Sequence, residues 1–300
     1  MALLLGLILI TAPLAKIATA AEPNGIVVYQ SDFGLKDGAV SAMRGVAHSV
    51  DPTLKLENLT HEIPPFNIWE GAYRLNTTAP YWPEGTVFVS VVDPGVGTDR
   101  KSVVLKTTSG HYVVSPDNGT LTLVAESLGI EEVREIDEAT NRLEGSEQSY
   151  TFHGRDVYSY TAARLASGQI TFEQVGGALP PEVTRLDYQK PDFTGDALVG
   201  TIPILDIQYG NVWTNIDRDT FGEMGVEKGE MLKVTITGDD ETVFEGEFPY
   251  ASTFGDVPQG EPLAYLNSIN NLSFAINWGN FADTHGVSSG PGWHVEVRRP

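Results

Sequence analysis

Apolar runs of strand length alternate with helix-period patterns along the first two thirds of the chain, and then the pattern changes. Ile26-Val-Val-Tyr29, Leu54-Lys-Leu-Glu-Asn58 and Thr86-Val-Phe-Val-Ser-Val-Val92 read as strands. Ala39 to Val50, Ile68 to Thr78, Thr120 to Leu128 and Asp156 to Ala166 carry apolar residues at helical spacing. This alternation predicts a largely parallel sheet flanked by helices, an α/β domain over residues 24–187. The polar, proline-containing stretch Asp187-Tyr-Gln-Lys-Pro-Asp-Phe-Thr-Gly195 reads as a boundary. Beyond it, Ala197 to Ile207, Met231 to Thr237, Thr242 to Glu247, Leu263 to Asn267, Ser273 to Ile276 and His294 to Val297 are short strands between turn residues. No long helical pattern intervenes, so residues 195–300 are expected to form a smaller all-β domain, a barrel or sandwich.

Composition narrows the function. The chain has 300 residues, 41% hydrophobic and 20% charged, as expected of a globular protein with ample length for a buried core. Its formal charge of −21 argues against a nucleic-acid partner, which calls for a basic stripe. The acidity mildly favours a cationic small molecule, although solubility or a salty environment explains it more simply. Residues 1–20 stand apart: Ala2 to Ala12 is almost unbroken in its apolarity, and Ala18-Thr-Ala20 supplies small residues for a signal peptidase. The run is short for a membrane span and is followed by Pro13. The expectation is a signal peptide cleaved near Ala20 and an exported, periplasmic or extracellular protein without a stable membrane anchor. An uncleaved anchor is the second reading, because no Lys or Arg precedes the apolar run. The chain contains no cysteine, which excludes disulfides, thiolate metal sites and a cysteine nucleophile.

The chemistry is concentrated in polar loops. Asp93-Pro-Gly-Val-Gly-Thr-Asp-Arg100 follows a strand, so Asp93 is expected at its carboxyl end, where open α/β sheets bind ligands. Ser31-Asp-Phe-Gly-Leu-Lys-Asp37 and Thr60-His-Glu-Ile-Pro-Pro-Phe66 follow the two earlier strands in the same way. Phe152-His-Gly-Arg-Asp156 precedes a helical pattern. Arg100 stays charged at any relevant pH, His153 titrates near neutrality, and Asp93 can orient either of them or accept from a water. Each also has a plain structural role, Asp93 as a turn residue before proline and Arg100 as a salt-bridge partner. The six histidines are scattered, without His-x-His or His-Glu-x-x-His, so no metal site is expected. There is no Gly-x-Ser-x-Gly elbow and no phosphate-loop lysine.

Six segments in order, Asp32-Phe-Gly-Leu-Lys-Asp37, Thr60-His-Glu-Ile-Pro-Pro65, Asp93-Pro-Gly-Val-Gly-Thr98, Pro116-Asp-Asn-Gly119, Phe152-His-Gly-Arg-Asp156 and Tyr209-Gly-Asn-Val-Trp-Thr-Asn215, resemble the S-adenosyl-L-methionine (SAM) hydroxide adenosyltransferases. That family is related to fluorinating and chlorinating enzymes acting on the same substrate. The resemblance runs from about Ile26 to the C-terminus. It implies hydrolysis of SAM to adenosine and methionine without a cofactor, with Asp93, Arg100 and His153 as the hydroxide-activating set. Asp32 is then the ribose ligand, because a carboxylate can accept from both ribose hydroxyls. Asp37 matches the family position that meets the methionine ammonium, Asp206 can pair with the same ammonium, and Phe66 offers an apolar wall. Asn211 offers a donor and an acceptor to adenine, Tyr209 and Phe254 offer rings for it to stack on, and Trp213 lies in the same stretch. Ser268 matches the position that meets the methionine carboxylate. The family follows that serine with arginine, where this chain has Ile269, which leaves open how the carboxylate is held.

The resemblance also implies a homotrimer with the site between one chain's N-terminal domain and the next chain's C-terminal domain. Two other functions compete. The halogenating relatives carry tyrosine in place of the first acid and lack the histidine, whereas Asp93 and His153 are both present; Gly154 matches the chlorinating branch. A secreted nucleoside-binding protein without turnover is the third reading, since an exported enzyme meets little of a cytosolic metabolite.

Overall fold

The computed structural model describes residues 21–300; the expected signal peptide, residues 1–20, lies outside them. The N-terminal sheet contains β1 (Ile26–Ser31), β2 (Lys55–Thr60), β3 (Val87–Val91), β4 (Ser102–Lys106), β5 (Tyr112–Pro116), β6 (Glu132–Glu135) and β7 (Ala178–Leu179). Their spatial order is β2-β1-β3-β5-β4-β6-β7. The pairs β2/β1, β1/β3 and β3/β5 are parallel, and β5/β4, β4/β6 and β6/β7 antiparallel. Sequence pattern anticipated the parallel half. The other half is antiparallel because β4 and β5 are joined by the tight turn Thr107–His111, whereas a parallel neighbour needs a long crossover.

β1 and β3 are almost wholly buried, as central parallel strands covered on both faces must be. α1 (Ala39–Val50) packs Val40, Met43 and Ala47 inward at helical spacing. α2 (Ile68–Thr78) starts at Asn67, whose side chain accepts from the Glu70 amide, and buries Trp69, Ala72, Tyr73 and Leu75. α3 (Thr122–Ser127) is followed, after β6, by a π-helical turn at Gly154–Ser159 that runs into α4 (Tyr160–Ala166). From β1 the chain leaves on one side to β2 and returns on the other to β3, which makes the β1/β3 carboxyl edge a topological switch point.

The C-terminal part holds two antiparallel sheets. One contains β10 (Ile204–Asp206), β11 (Asn211–Asp217), β15 (Asn271–Ile276) and β14 (Pro262–Leu266) in that order. The other contains β13 (Glu241–Pro249), β12 (Met231–Gly238), β16 (Trp293–Arg298), β9 (Ala197–Thr201) and β8 (Asp192–Thr194). Leu198, Val212, Leu232, Val234, Ile236, Phe248 and Phe274 belong to one buried cluster from the two sheets, the sandwich expected from sequence. The single strand expected over Ala197 to Ile207 is two strands in different sheets. Pro203 separates them, having no N–H to continue a ladder. Trp69 Nε1 donates to the Pro203 carbonyl at 2.9 Å and its ring lies 5.1 Å from that of Tyr188, which fastens α2 to the second part.

Candidate active site

The loops after β1, β2 and β3 meet at the switch point. Ser31 Oγ lies 2.7 Å from His61 Nδ1, the Gly34 amide donates to the His61 carbonyl at 2.7 Å, and Asn58 Oδ1 lies 3.1 Å from His61 Nε2. His61 is buried, and that burial with Arg44 nearby pulls its pKa down from 6.5 to about 4, so it is neutral here. Asp32 Oδ2 accepts from the Phe66 amide at 2.9 Å, and Phe66 adopts a left-handed φ of 68° with its ring exposed. Asp37 takes a local role at the start of α1, accepting from the Ala39 amide at 2.8 Å.

The Asp93 loop folds back through two successive turns, with Val96 N bonded to Asp93 O and Thr98 N to Gly95 O. Gly97 is needed at φ 77°, where a Cβ would also come 3.2 Å from the Tyr150 carbonyl. The fold-back delivers Arg100 onto Asp93, with Nε to Oδ1 at 2.9 Å and Nη2 to Oδ2 at 2.6 Å. Asn118, from the fourth motif, donates to the Val92 carbonyl at 2.8 Å and so steadies the end of β3. Burial is the largest single effect and opposes the Arg100 charge, but the bond to Asp93, together with Tyr158 and the Asp93 and Glu138 charges, outweighs it, and the net direction of its pKa is upward.

His153 enters from the π-helical turn. Phe33 and Phe152 meet edge-on at 5.6 Å, and Gly154 fits between Phe33 and Val91, each 3.3 Å from a Cβ built there. The histidine does not touch Asp93 or Arg100 through any hydrogen bond or ion pair among the described residues; its Nε2 stands 3.5 Å from Glu138 Oε1. The connection runs through residues the sequence did not single out. Arg100 Nη1 donates to Ser102 Oγ at 3.1 Å, Ser102 Oγ reaches Glu138 Oε1 at 3.4 Å, and Tyr158 OH reaches Asp93 Oδ2 at 3.4 Å. Burial, and then the Asp93 charge, pushes the Tyr158 pKa upward, so its hydroxyl stays protonated and donates. Two of these partners were accessible in principle, since Ser102 lies two residues beyond Arg100 at the start of β4 and Tyr158 lies one π turn beyond His153. Glu138, in a loop without periodicity, gave no such signal.

The remaining expected ligands lie in the C-terminal part of the chain. Asp206 and Trp213 share a groove of about 440 Å³ with Thr60, Glu62 and Tyr73. Asn211 is buried and donates to Asp206 Oδ2 at 3.2 Å across β10 and β11. Tyr209 projects from the intervening turn, 64% exposed, and Phe254 packs at 5.0 Å on Tyr265. Ser268 lines a second cleft, about 580 Å³, with Trp69, Tyr73, Tyr188 and Ile269. No hydrogen bond or ion pair among the described residues links Tyr209, Asn211, Phe254 or Ser268 to the Asp93, Arg100 and His153 cluster.

Comparison with known proteins bears on the family and on the two-part fold. Residues 27–176 match the model of the SAM hydroxide adenosyltransferase N-terminal domain, and residues 200–294 that of its C-terminal domain. A fluorinase from Nocardia brasiliensis is 31% identical over 91% of this chain and 97% of its own length. An (R)-S-adenosyl-L-methionine hydrolase from Methanocaldococcus jannaschii is 39% identical over 65% of this chain and 68% of its own length. The crystal structure of an uncharacterized conserved protein from Thermotoga maritima superposes with a TM-score of 0.82 at 35% identity, covering 91% of this chain and all of that one. With both domain models matched in order across most of its length, this chain belongs to the SAM hydroxide adenosyltransferase family.

Proposed function

We propose that the protein hydrolyses SAM to adenosine and L-methionine by in-line attack of an activated water on C5′. The observation that carries this reading is the Asp93–Arg100 pair at the end of β3, connected through Ser102 and Glu138 to His153. The leaving group departs as a neutral thioether and needs no general acid, so the difficulty lies with the nucleophile. Arg100, fixed in direction by two bonds, favours the anionic form of a nearby water. His153 supplies a group that takes the proton, and Asp32 at the adjoining strand end suits the ribose diol. Attack on a sulfonium disperses charge, so a site closed to bulk water assists it.

Halide as nucleophile is the competing reading, favoured by the fluorinase relative. Asp93 weighs against it, because its carboxylate can accept a hydrogen bond from a water, whereas a halide ion has no proton to donate and is repelled. A nucleoside-binding role without turnover is tested separately. Purified protein incubated with SAM should release adenosine and methionine in equal amounts; tight adenosine binding by calorimetry with no product over long incubation refutes the hydrolase.

The assembly proposed with this reading is a cyclic homotrimer whose sites lie between subunits. Within one protomer no hydrogen bond or ion pair among the described residues joins Asn211, Tyr209 or Phe254 to Asp93, an arrangement that supports a site completed by a neighbouring chain. Exposed apolar groups occur on both parts, Leu35, Phe66 and Tyr150 on the first and Ile207, Tyr209 and Trp278 on the second, as complementary contact surfaces require. We further propose export with cleavage near Ala20, to be checked by N-terminal sequencing of the mature protein.

A further inference from the structure

The partner of His153 is Glu138, and the geometry of that carboxylate is set from both sides. Its Oε2 accepts from Arg142 Nη1 at 2.7 Å, while Arg142 Nη2 donates to the Ser149 carbonyl at 2.7 Å. The Arg142 guanidinium also lies over the Tyr150 ring, 4.6 Å from its centre. With Oε2 clamped, Oε1 is turned towards His153 Nε2 at 3.5 Å and Ser102 Oγ at 3.4 Å. The Tyr150 and Tyr158 rings flank the imidazole with centroids 6.1 and 6.3 Å away. Beyond Glu138 the charged groups are Arg142 and, through Ser102, Arg100 with Asp93. The other imidazole nitrogen, Nδ1, is buried and has no hydrogen-bond partner among the described residues.

A neutral imidazole carries one proton on one of two nitrogens, and the nitrogen facing an acceptor-only carboxylate is the one that keeps it. We propose that Glu138 is the positioning residue of His153, fixing the tautomer protonated on Nε2 and leaving the Nδ1 lone pair as the atom that accepts the proton. The role of that proton rests on the hydrolytic reading; the tautomer does not. In the step, water oxygen forms its bond to C5′ as the C5′–S bond breaks and its electron pair leaves on sulfur. The water proton passes to Nδ1, and the resulting imidazolium is stabilised by the Glu138 carboxylate. Glu138 stays ionised opposite the imidazole, since the facing His153, assisted by Arg142 and against the effect of burial, holds its carboxyl below the usual range. Its carboxylate also borders an open cavity of about 590 Å³ shared with Arg100 and Ser102.

The inference is tested by nitrogen NMR on protein labelled with ¹⁵N-histidine, with His153→Ala identifying the resonance by difference among the six histidines. The wild type is expected to show a proton bonded to Nε2 and none on Nδ1. Glu138→Ala should give a mixture of tautomers or the opposite one, with kcat lowered about 10²-fold and KM little changed. Glu138→Asp keeps the charge for Arg142 but withdraws it from His153, and serves as the same comparison if the alanine variant does not fold. His153 protonated on Nδ1 in the wild type, or a tautomer indifferent to residue 138, overturns the inference. The Nε2 tautomer in a protein that fails to turn over SAM supports the positioning role and counts against hydrolysis alone.

Discussion

Arg100 meets Asp93 edge to edge, Nε on Oδ1 at 2.9 Å and Nη2 on Oδ2 at 2.6 Å, with the two side chains only 11% and 6% exposed. Seven residues and two turns separate the pair in sequence, so the bond both closes the loop after β3 and fixes the direction of the cation that Asp93 holds at the strand end. Structure and chemistry are therefore coupled at this point, and substitutions there should report on both.

Arg100→Lys keeps the charge but cannot reproduce two parallel bonds, because an ammonium is a point donor and a guanidinium a planar fork. We expect the lysine variant to fold and to lose most of its turnover. Arg100→Ala strands a buried carboxylate, at a cost of about 3–5 kcal/mol, visible as a lower denaturant midpoint. An alanine variant with the wild-type midpoint contradicts the picture of a tight, desolvated pair.

Kinetic constants should separate the residues by role. Asp93→Asn and His153→Ala are expected to lower kcat by about 10²-fold or more while KM stays near its wild-type value. Asp32→Ala should raise KM instead, because ribose contacts exist before the chemical step, and it also releases the Phe66 amide. Near-normal turnover in both Asp93→Asn and His153→Ala removes the basis for water activation by this set.

His61 gives a pH dependence of stability. Its folded pKa of about 4 lies below the ordinary value of 6.5 through burial and the Arg44 charge. Between those limits the unfolded chain binds a proton that the folded chain refuses, so stability falls as pH drops from about 6.5 to about 4 and is unaffected by this group above that window. His61→Asn, which cannot titrate, should flatten this part of the curve in denaturant titrations. An identical slope in variant and wild type shows that the titration belongs to other groups.

Subunit mixing tests the assembly. An Asp93→Asn chain and an Asn211→Ala chain, each inactive alone, should regain part of the activity when exchanged, since hybrid trimers contain some sites with both residues intact. A fully active monomer by light scattering, or no recovery after proven exchange, contradicts sites between subunits.

Sequence pattern revealed those parts of the molecule whose physics is local. The helix Ile68–Thr78 was legible to the residue because its apolar spacing and its boundaries coincide. The position of Asp93 followed from the length of the apolar run before it. What escaped depends on long-range placement. Glu138 reaches His153 only because the loop after β6 comes against the start of the π-helical turn, and no periodicity marks such a contact. The split at Pro203 was hidden by the apolar residues on either side, which are similarly buried although they belong to different sheets. Asp93, Arg100 and His153 were grouped by chemistry with no contact geometry between them, and the structure connects the histidine to the pair through Ser102, Glu138 and Tyr158.

The most direct test of the central claim is the product formed in ¹⁸O-labelled water with saturating chloride or fluoride present. Attack by water on C5′ predicts adenosine carrying the label in its 5′-hydroxyl, released with one methionine and unaffected by the halide. A 5′-halogenated adenosine, or adenosine without the label, contradicts it.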